Sequence, residues 1–237
     1  MIPASCIENF YDDPDSIRDF ALSLDYYPPN RDENFPGVRT NCLSSIDDNF
    51  FQFSTQRFLS CFFDLTPDTT WKGTTTFHKI HTYNQDKFHP MNIGWIHRDE
   101  KQPYVTIAGV LYLNKHTNLD SGTKIFHLKK KFKDHRFTKR EYLMQRRLNN
   151  RDLCLNKCID PDLYINEIEN HNNKFDLSIE YKNFYNRMIA YDGNLWHQIS
   201  SFWVPEKFRL TQVFFIELLN NIPHRKKPSF IDSLHYV

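Results

Sequence analysis

Apolar residues in the first quarter of the chain recur at helical spacing. In DPDSIRDFALSLDYY (13–27), Ile17, Phe20, Ala21 and Leu24 share one side of a 3.6-residue period behind a capping Asp and an early Pro, which predicts a helix. A second helix is predicted over 45–63, with Phe51, Phe58, Leu59 and Phe62 as its buried stripe. Between them NFPGVRT (34–40) is a Pro-Gly loop.

From Trp71 the composition turns to Thr and aromatics, which favours strand. WKGTTTFHKIHTY is followed by WIHRD (95–99), YVTIAGVLYLN (104–114), TKIFHLK (123–129), RMIAYD (187–192), LWHQISSFWV (195–204) and RLTQVFFIELL (209–219), all of strand character. Turn formers at 118–122 and the Asp-Gly-Asn at 192–194 separate them. So many short strands predict a mainly β domain, a sandwich or barrel with flanking helices. The block 129–181 interrupts the pattern. KKKFKDHRFTKREYLMQRRLNN is basic and helical near 138–149, while INEIENHNNKFD (165–176) reads as polar and irregular. The expected organisation is one domain over 1–237. Residues 1–70 give helical support, 71–127 and 182–219 the β core, 128–181 an insertion over one end, and 220–237 a surface tail.

At 237 residues the chain can bury a substantial core, and 40% hydrophobic with 25% charged residues is ordinary for a globular protein. A net charge of +1 gives no global signature of nucleic-acid or membrane binding. The basic runs KKKFKDHRFTKR and RRLNNR motivate a nucleic-acid-directed reading, but such runs on insertions are more often solvated faces, so a nucleic-acid partner is not expected. No apolar run is long enough to span a membrane, and MIPASCIENFYDDPD has neither the basic nor the apolar region of a secretory leader. Five Cys at irregular spacing read as reduced thiols, so a cytoplasmic location is expected. Cys154 and Cys158 stand four apart like half a zinc site, without a second pair nearby.

The candidate chemistry begins with GWIHRDE (94–100). His97 and Asp99 stand two apart, so on a strand both point to one face, Trp95 with them and Arg98 away. With 11 His in the chain a chance His-x-Asp is unsurprising, and two ligands are too few for a catalytic metal. His197 in NLWHQIS is the best third ligand, because Leu195, His197 and Ile199 share a face behind a tight turn. Two histidines and a carboxylate make the facial triad of non-haem Fe(II) oxygenases, whereas structural zinc takes a fourth protein ligand. Twelve residues on, Arg209 and Thr211 share a strand face, where a guanidinium and a hydroxyl can hold a carboxylate; taken alone, an arginine on a strand more often pairs with an Asp or Glu at the edge of the core. In 104–114, Val105, Ile107, Leu111 and Leu113 form a packing face. Thr106, Ala108, Val110 and Tyr112 form a smaller, partly polar face, suited to a cavity or equally to an ordinary mixed strand face. His78, His81, Tyr83 and His89 precede the pair, and Tyr83 is within reach of a ligand there, with core or surface roles equally open.

In order along the chain, HRD (97–99), VTIAGVLYLN ending at 114, SGTKIF (121–126), RMIAYDGNLWHQIS (187–200) and RLT (209–211) resemble the 2-oxoglutarate/Fe(II)-dependent dioxygenase superfamily. The pattern is nearest to its prolyl-hydroxylase-like members. The N-terminal third, with NFYDDPDSIRDFAL and FPGVRT, resembles a microbial branch of that superfamily. SGTKIF departs in having one Gly where many members have two. The resemblance implies a double-stranded β-helix (a jelly-roll, cupin-like core) with Fe(II) held by His97, Asp99 and His197. It further implies 2-oxoglutarate on the metal, its far carboxylate on Arg209 with Thr211 and Tyr112 beside it. O₂ would oxidise 2-oxoglutarate to succinate and CO₂ while a small molecule or protein side chain is hydroxylated. The 128–181 insertion and the FPGVRT loop with Arg39 are placed to cover the mouth of such a site. The alternative is a cupin-type metal-binding protein or isomerase using Zn(II) or Mn(II), which has no need of a dicarboxylate clamp. Neither the substrate nor the oligomeric state is legible in the sequence.

Overall fold

The computed structural model describes residues 4–30, 35–99, 106–116, 118–133, 137 and 161–220. Its elements in chain order are β1 (Ser5–Ile7), α1 (Pro14–Ser23), β2 (Val38–Arg39), α2 (Asp48–Ser60), β3 (Thr70–Ile80), β4 (Thr106–Tyr112), β5 (Thr123–Leu128), α3 (Pro161–Asn172), β6 (Phe175–Tyr181), β7 (Met188–Asp192), β8 (Trp196–Ile199) and β9 (Arg209–Asn220). The two N-terminal helices start where their caps dictate. The Asp13 carboxylate accepts the Ser16 N–H at 3.1 Å, and that of Asp47 accepts the Phe50 N–H at 2.9 Å.

Six strands form one sheet in the order β1-β7-β4-β9-β3-β2, and three form a second in the order β6-β5-β8. Every pairing is antiparallel. WIHRD does not make a full strand. His97 pairs with His197 through one isolated bridge, so this segment lies along the free edge of β8 and extends the smaller sheet. Together the sheets make a jelly-roll core of the double-stranded β-helix type.

Alternation on β4 assigns its two faces. Ile107 and Leu111 join Phe77, Leu210, Phe214, Ile216 and Met188 on the outer face of the large sheet, and α2 covers them with Phe51, Phe58 and Leu59. Phe58 stacks on Phe214 at 4.9 Å between ring centroids. Ala108 and Tyr112 face the other way, meeting Ile189 and Tyr191 of β7 and Ile125 of the small sheet. This inner face is where the two sheets oppose each other. A hydrogen bond of 2.7 Å between the Tyr112 and Thr123 hydroxyls ties them together.

Several expectations are corrected. The loop at 34–40 contains an edge strand: Val38 and Arg39 pair with Lys79 and His78 of β3. The turn into it needs Gly37, whose φ is +75° and whose Cβ would lie 2.2 Å from the Lys79 carbonyl oxygen. The polar stretch 165–176 is ordered rather than irregular. It contains most of α3 and the start of β6, so this part of the supposed insertion supplies an outer strand of the small sheet. The close approach of β6 also explains the single glycine of SGTKIF, since a Cβ on Gly122 would lie 1.8 Å from the Tyr181 carbonyl oxygen. The strand expected over 195–204 ends at Ile199, and β1 was not anticipated. Of the tail expected over 220–237, Asn220 ends β9; the rest of it, the helix expected near 138–149, Cys154 and Cys158 lie outside the described residues.

Candidate metal centre

Two chain segments zip together to build the centre. The His97 N–H donates to the His197 carbonyl at 2.9 Å and the reverse bond is 2.8 Å, so the two residues face each other directly across the bridge. Their rings sit 4.4 Å apart. Two residues on, the Asp99 N–H donates to the Gly193 carbonyl at 3.0 Å, in the tight turn before β8. Asp99 therefore returns to the face of His97, as the i, i+2 spacing requires.

Each ring is oriented by its own backbone. Nδ1 of His97 lies 2.8 Å from the Trp95 carbonyl, and Nδ1 of His197 lies 2.9 Å from the Leu195 carbonyl. A carbonyl can only accept, so Nδ1 carries the proton in both rings. In a neutral imidazole this tautomer leaves Nε2 as the free electron pair. These Nε2 atoms point at Asp99, at 3.8 Å for His97 and 3.3 Å for His197. One nitrogen from each ring and a carboxylate oxygen all fall within 4.8 Å of one another, the one such cluster among the described residues.

The donor set passes a chemical test for a cation. Burial, then the neighbouring His197, pull the His97 pKa down from 6.5 to about 4, so that ring is neutral at physiological pH. Asp99 Oδ2 is buried and accepts no hydrogen bond. The free electron pair of His97 and the unbonded Asp99 Oδ2 thus face the same space as His197 Nε2. Two imidazole nitrogens and a carboxylate oxygen gathered this closely are ligand types that a divalent ion takes.

A second polar cluster lies on the inner face of the large sheet. In β9 the register sets Thr211 between His78 of β3 and Tyr112 of β4, and Arg209 beside Ile80. Arg209 is 2% exposed. Its Nε donates to the Ser121 carbonyl at 2.9 Å, and its guanidinium lies 5.2 Å from the centre of the Tyr112 ring. Nη2 has no partner, the Thr211 hydroxyl has none, and no carboxylate among the described residues pairs with Arg209. Burial lowers the Arg209 pKa from its ordinary value, the direction expected of a cation held out of water. A buried guanidinium without a counter-charge is costly, so this arrangement is suited to an anion.

Tyr191 of β7 joins the two clusters, and sequence reasoning missed it. Its ring lies 4.6 Å from that of His197. Burial, then Asp99, drive its pKa upward, and the fields of Arg209 and Arg39 also reach it. The available signal was its alternation with Ile189 on β7. Arg39 rests over the Phe35 ring at 4.2 Å, on the face of β2 shared with His78. The other early candidates separate. His78 is buried, bonded through Nε2 to the Pro36 carbonyl, and held well below its usual pKa by burial and then Arg39. Tyr83 packs on Phe202, His81 reaches the Lys207 carbonyl at 3.2 Å, and His89 caps the Met91 N–H at 3.2 Å. No helix among the described residues is long and apolar enough to cross a membrane.

Residues 2–211 match the family described as "Family of unknown function (DUF6445)", and the chain belongs to that family. No match is found among curated proteins. Among solved structures, the chain is similar to HygX from Streptomyces hygroscopicus with nickel and 2-oxoglutarate bound. The TM-score is 0.54 at 13% identity, covering 98% of this chain and 89% of that one. HygX with nickel, 2-oxoglutarate and hygromycin B bound aligns with a TM-score of 0.48 at 11% identity, over 90% of this chain and 82% of that one. The first of these shares its fold with this chain.

Proposed function

We propose that this member of the DUF6445 family is a 2-oxoglutarate- and Fe(II)-dependent oxygenase, a hydroxylase by class. Its metal is held by His97, Asp99 and His197. The observation that carries the reading is Arg209, a fully buried guanidinium with an unpartnered Nη2 beside the unpartnered Thr211 hydroxyl. It lies in the same interior as the converging imidazoles and carboxylate. A cupin-type metal protein or isomerase has no use for that clamp. The fold is that of a protein whose crystal contains a metal and 2-oxoglutarate together, which supports the pairing.

In this reading His97, Asp99 and His197 would hold the ion, a three-ligand set that would leave positions for small molecules. Arg209 takes the far carboxylate of 2-oxoglutarate through its fork, and Thr211 donates to the same group. Tyr112 accepts from Thr123 and donates to that carboxylate, orienting it from the neighbouring strand. Tyr191, beside His197, walls the space between the two clusters and excludes water. When bound, Fe(II) supplies the redox centre at which O₂ oxidises 2-oxoglutarate to succinate and CO₂ and oxidises the substrate, a small molecule or a protein side chain.

Calorimetric titration of 2-oxoglutarate into metal-free and Mn(II)-loaded protein tests this. The reading predicts tighter binding to the loaded form and, by reciprocity, an equal gain in Mn(II) affinity when 2-oxoglutarate is present. Mn(II) binding that 2-oxoglutarate leaves unchanged would transfer the protein to the cupin-type class.

A further inference from the structure

The segment that brings His97 and Asp99 to the centre is joined to β8 by only one bridge, and its opposite edge would expose unpaired backbone groups. Side chains at the C-terminal end of α3 cover that edge. The Ile96 N–H donates to Asn172 Oδ1 at 3.2 Å, and Asn172 Nδ2 donates to the Gly94 carbonyl at 3.0 Å. His171 Nε2 lies 2.7 Å from the Ile96 carbonyl and, facing an acceptor, carries the hydrogen. Between these contacts the Trp95 ring lies flat on the His171 ring, 3.8 Å between centroids and 11° from parallel. Ile168 anchors the helix from one turn back, packing with Trp95 and Met91.

The clamp acts on the residues that aim His97. Trp95, stacked on His171, supplies the carbonyl that orients His97 Nδ1 at 2.8 Å. Ile96, bonded on both its N–H and C=O, immediately precedes His97. We infer that His171 and Asn172 are positioning residues for the metal centre. They stand in for a missing β-strand along 94–96 and thereby fix where His97 Nε2 points. This rests on the metal reading of His97, Asp99 and His197 given above. Asn172 also links the clamp to β8, donating to Gln198 Oε1 at 3.4 Å, so both ligand-bearing segments meet at one side chain.

Two readouts separate positioning from bulk stability: Mn(II) affinity by calorimetry, and hydrogen exchange at the Ile96 amide in metal-free protein. In Asn172→Ala the Ile96 amide should exchange at least about tenfold faster. Mn(II) affinity should fall by about 10- to 100-fold, the loss typical when a group supporting a metal ligand is removed. Exchange in β3, β4 and β9 should stay as in wild type. His171→Ala should weaken Mn(II) in the same way, and His171→Gln, which keeps an N–H donor, should recover most of the loss. Faster Ile96 exchange with unchanged Mn(II) affinity overturns the inference, because the edge is then held without aiming the ligand. A uniform rise in exchange through the β core also overturns it, leaving an ordinary structural role. His97→Ala is the control for the underlying reading. If it binds Mn(II) like wild type, the metal assignment falls and the positioning role with it, while Ile96 exchange still reports whether the clamp exists.

Discussion

Replacing Arg209 by Met distinguishes a ligand clamp from a structural arginine through two effects that part company. The side chain is 2% exposed, with Nε bonded to the Ser121 carbonyl at 2.9 Å and Nη2 unpartnered. Removing the guanidinium strips Ser121 of a buried donor, a cost of about 1–3 kcal/mol. It also removes a buried charge without a counter-ion, whose residual desolvation penalty is several kcal/mol and opposes the first effect. Ligand-free stability should therefore stay within about 2 kcal/mol of wild type, or roughly 4–8 °C in Tm for a chain of this size. Affinity for 2-oxoglutarate should behave otherwise. Loss of a buried charge-assisted contact costs about 2–5 kcal/mol, which is roughly 30- to 5,000-fold in Kd. Thermal denaturation of the metal-free protein and calorimetry of 2-oxoglutarate with the Mn(II)-loaded protein measure the pair. Arg209→Lys should fall between, keeping the charge but losing the fork. A large loss of stability with unchanged 2-oxoglutarate affinity would refute the clamp and make Arg209 a structural residue.

Other consequences follow from the same geometry. Asp99→Ala should weaken Mn(II) by more than about 100-fold while leaving thermal stability of the metal-free protein intact, since Oδ2 accepts no hydrogen bond; retained affinity in calorimetry would remove Asp99 from the ligand set. His97 binds a proton near pH 6.5 when unfolded but only near about 4 when folded, because burial and then His197 disfavour its charge. The unfolded state therefore holds the extra proton, and metal-free stability, complete above that window, should fall by up to about 3 kcal/mol as the pH drops through it. Urea unfolding of wild type and His97→Gln across this range checks the sign, and identical pH slopes would contradict it. Phe58→Ala, which empties a fully buried position stacked on Phe214, should cost about 3–5 kcal/mol in urea unfolding; a cost below 1 kcal/mol would mean that α2 is not the cover of the large sheet.

The parts of the fold legible in the sequence were those where one periodicity dominated. On β4 the alternation separated Ile107 and Leu111, which pack under α2, from Ala108 and Tyr112, which face the interior. The i, i+2 rule correctly anticipated that His97 and Asp99 would turn to one side, even though the segment is a single bridge and not a strand. The juxtaposition of His97, Asp99 and His197 followed from treating both segments as β structure with one inner face. Between 161 and 181 the signal was weaker. α3 packs Ile165 and Ile168 but leaves Leu163 exposed amid Asn and Glu, and β6 is an outer strand whose Leu177 and Ile179 remain exposed. No alternation of buried and exposed residues marks such a strand. The parts played by His171, Asn172 and Tyr191 were out of reach for a different reason. They come from contacts between segments far apart in the chain, where neither spacing nor composition distinguishes a clamp from a solvated helix end.

The central claim is that one interior holds a metal on His97, Asp99 and His197 and a dicarboxylate on Arg209. Anaerobic titration of Fe(II) into the protein, with and without 2-oxoglutarate, addresses both halves in one cuvette. The account predicts a weak visible charge-transfer band only when Fe(II) and 2-oxoglutarate are both present, lost in Asp99→Ala and shifted to higher 2-oxoglutarate concentration in Arg209→Met. Iron bound to folded protein with no such band at any 2-oxoglutarate concentration would contradict it.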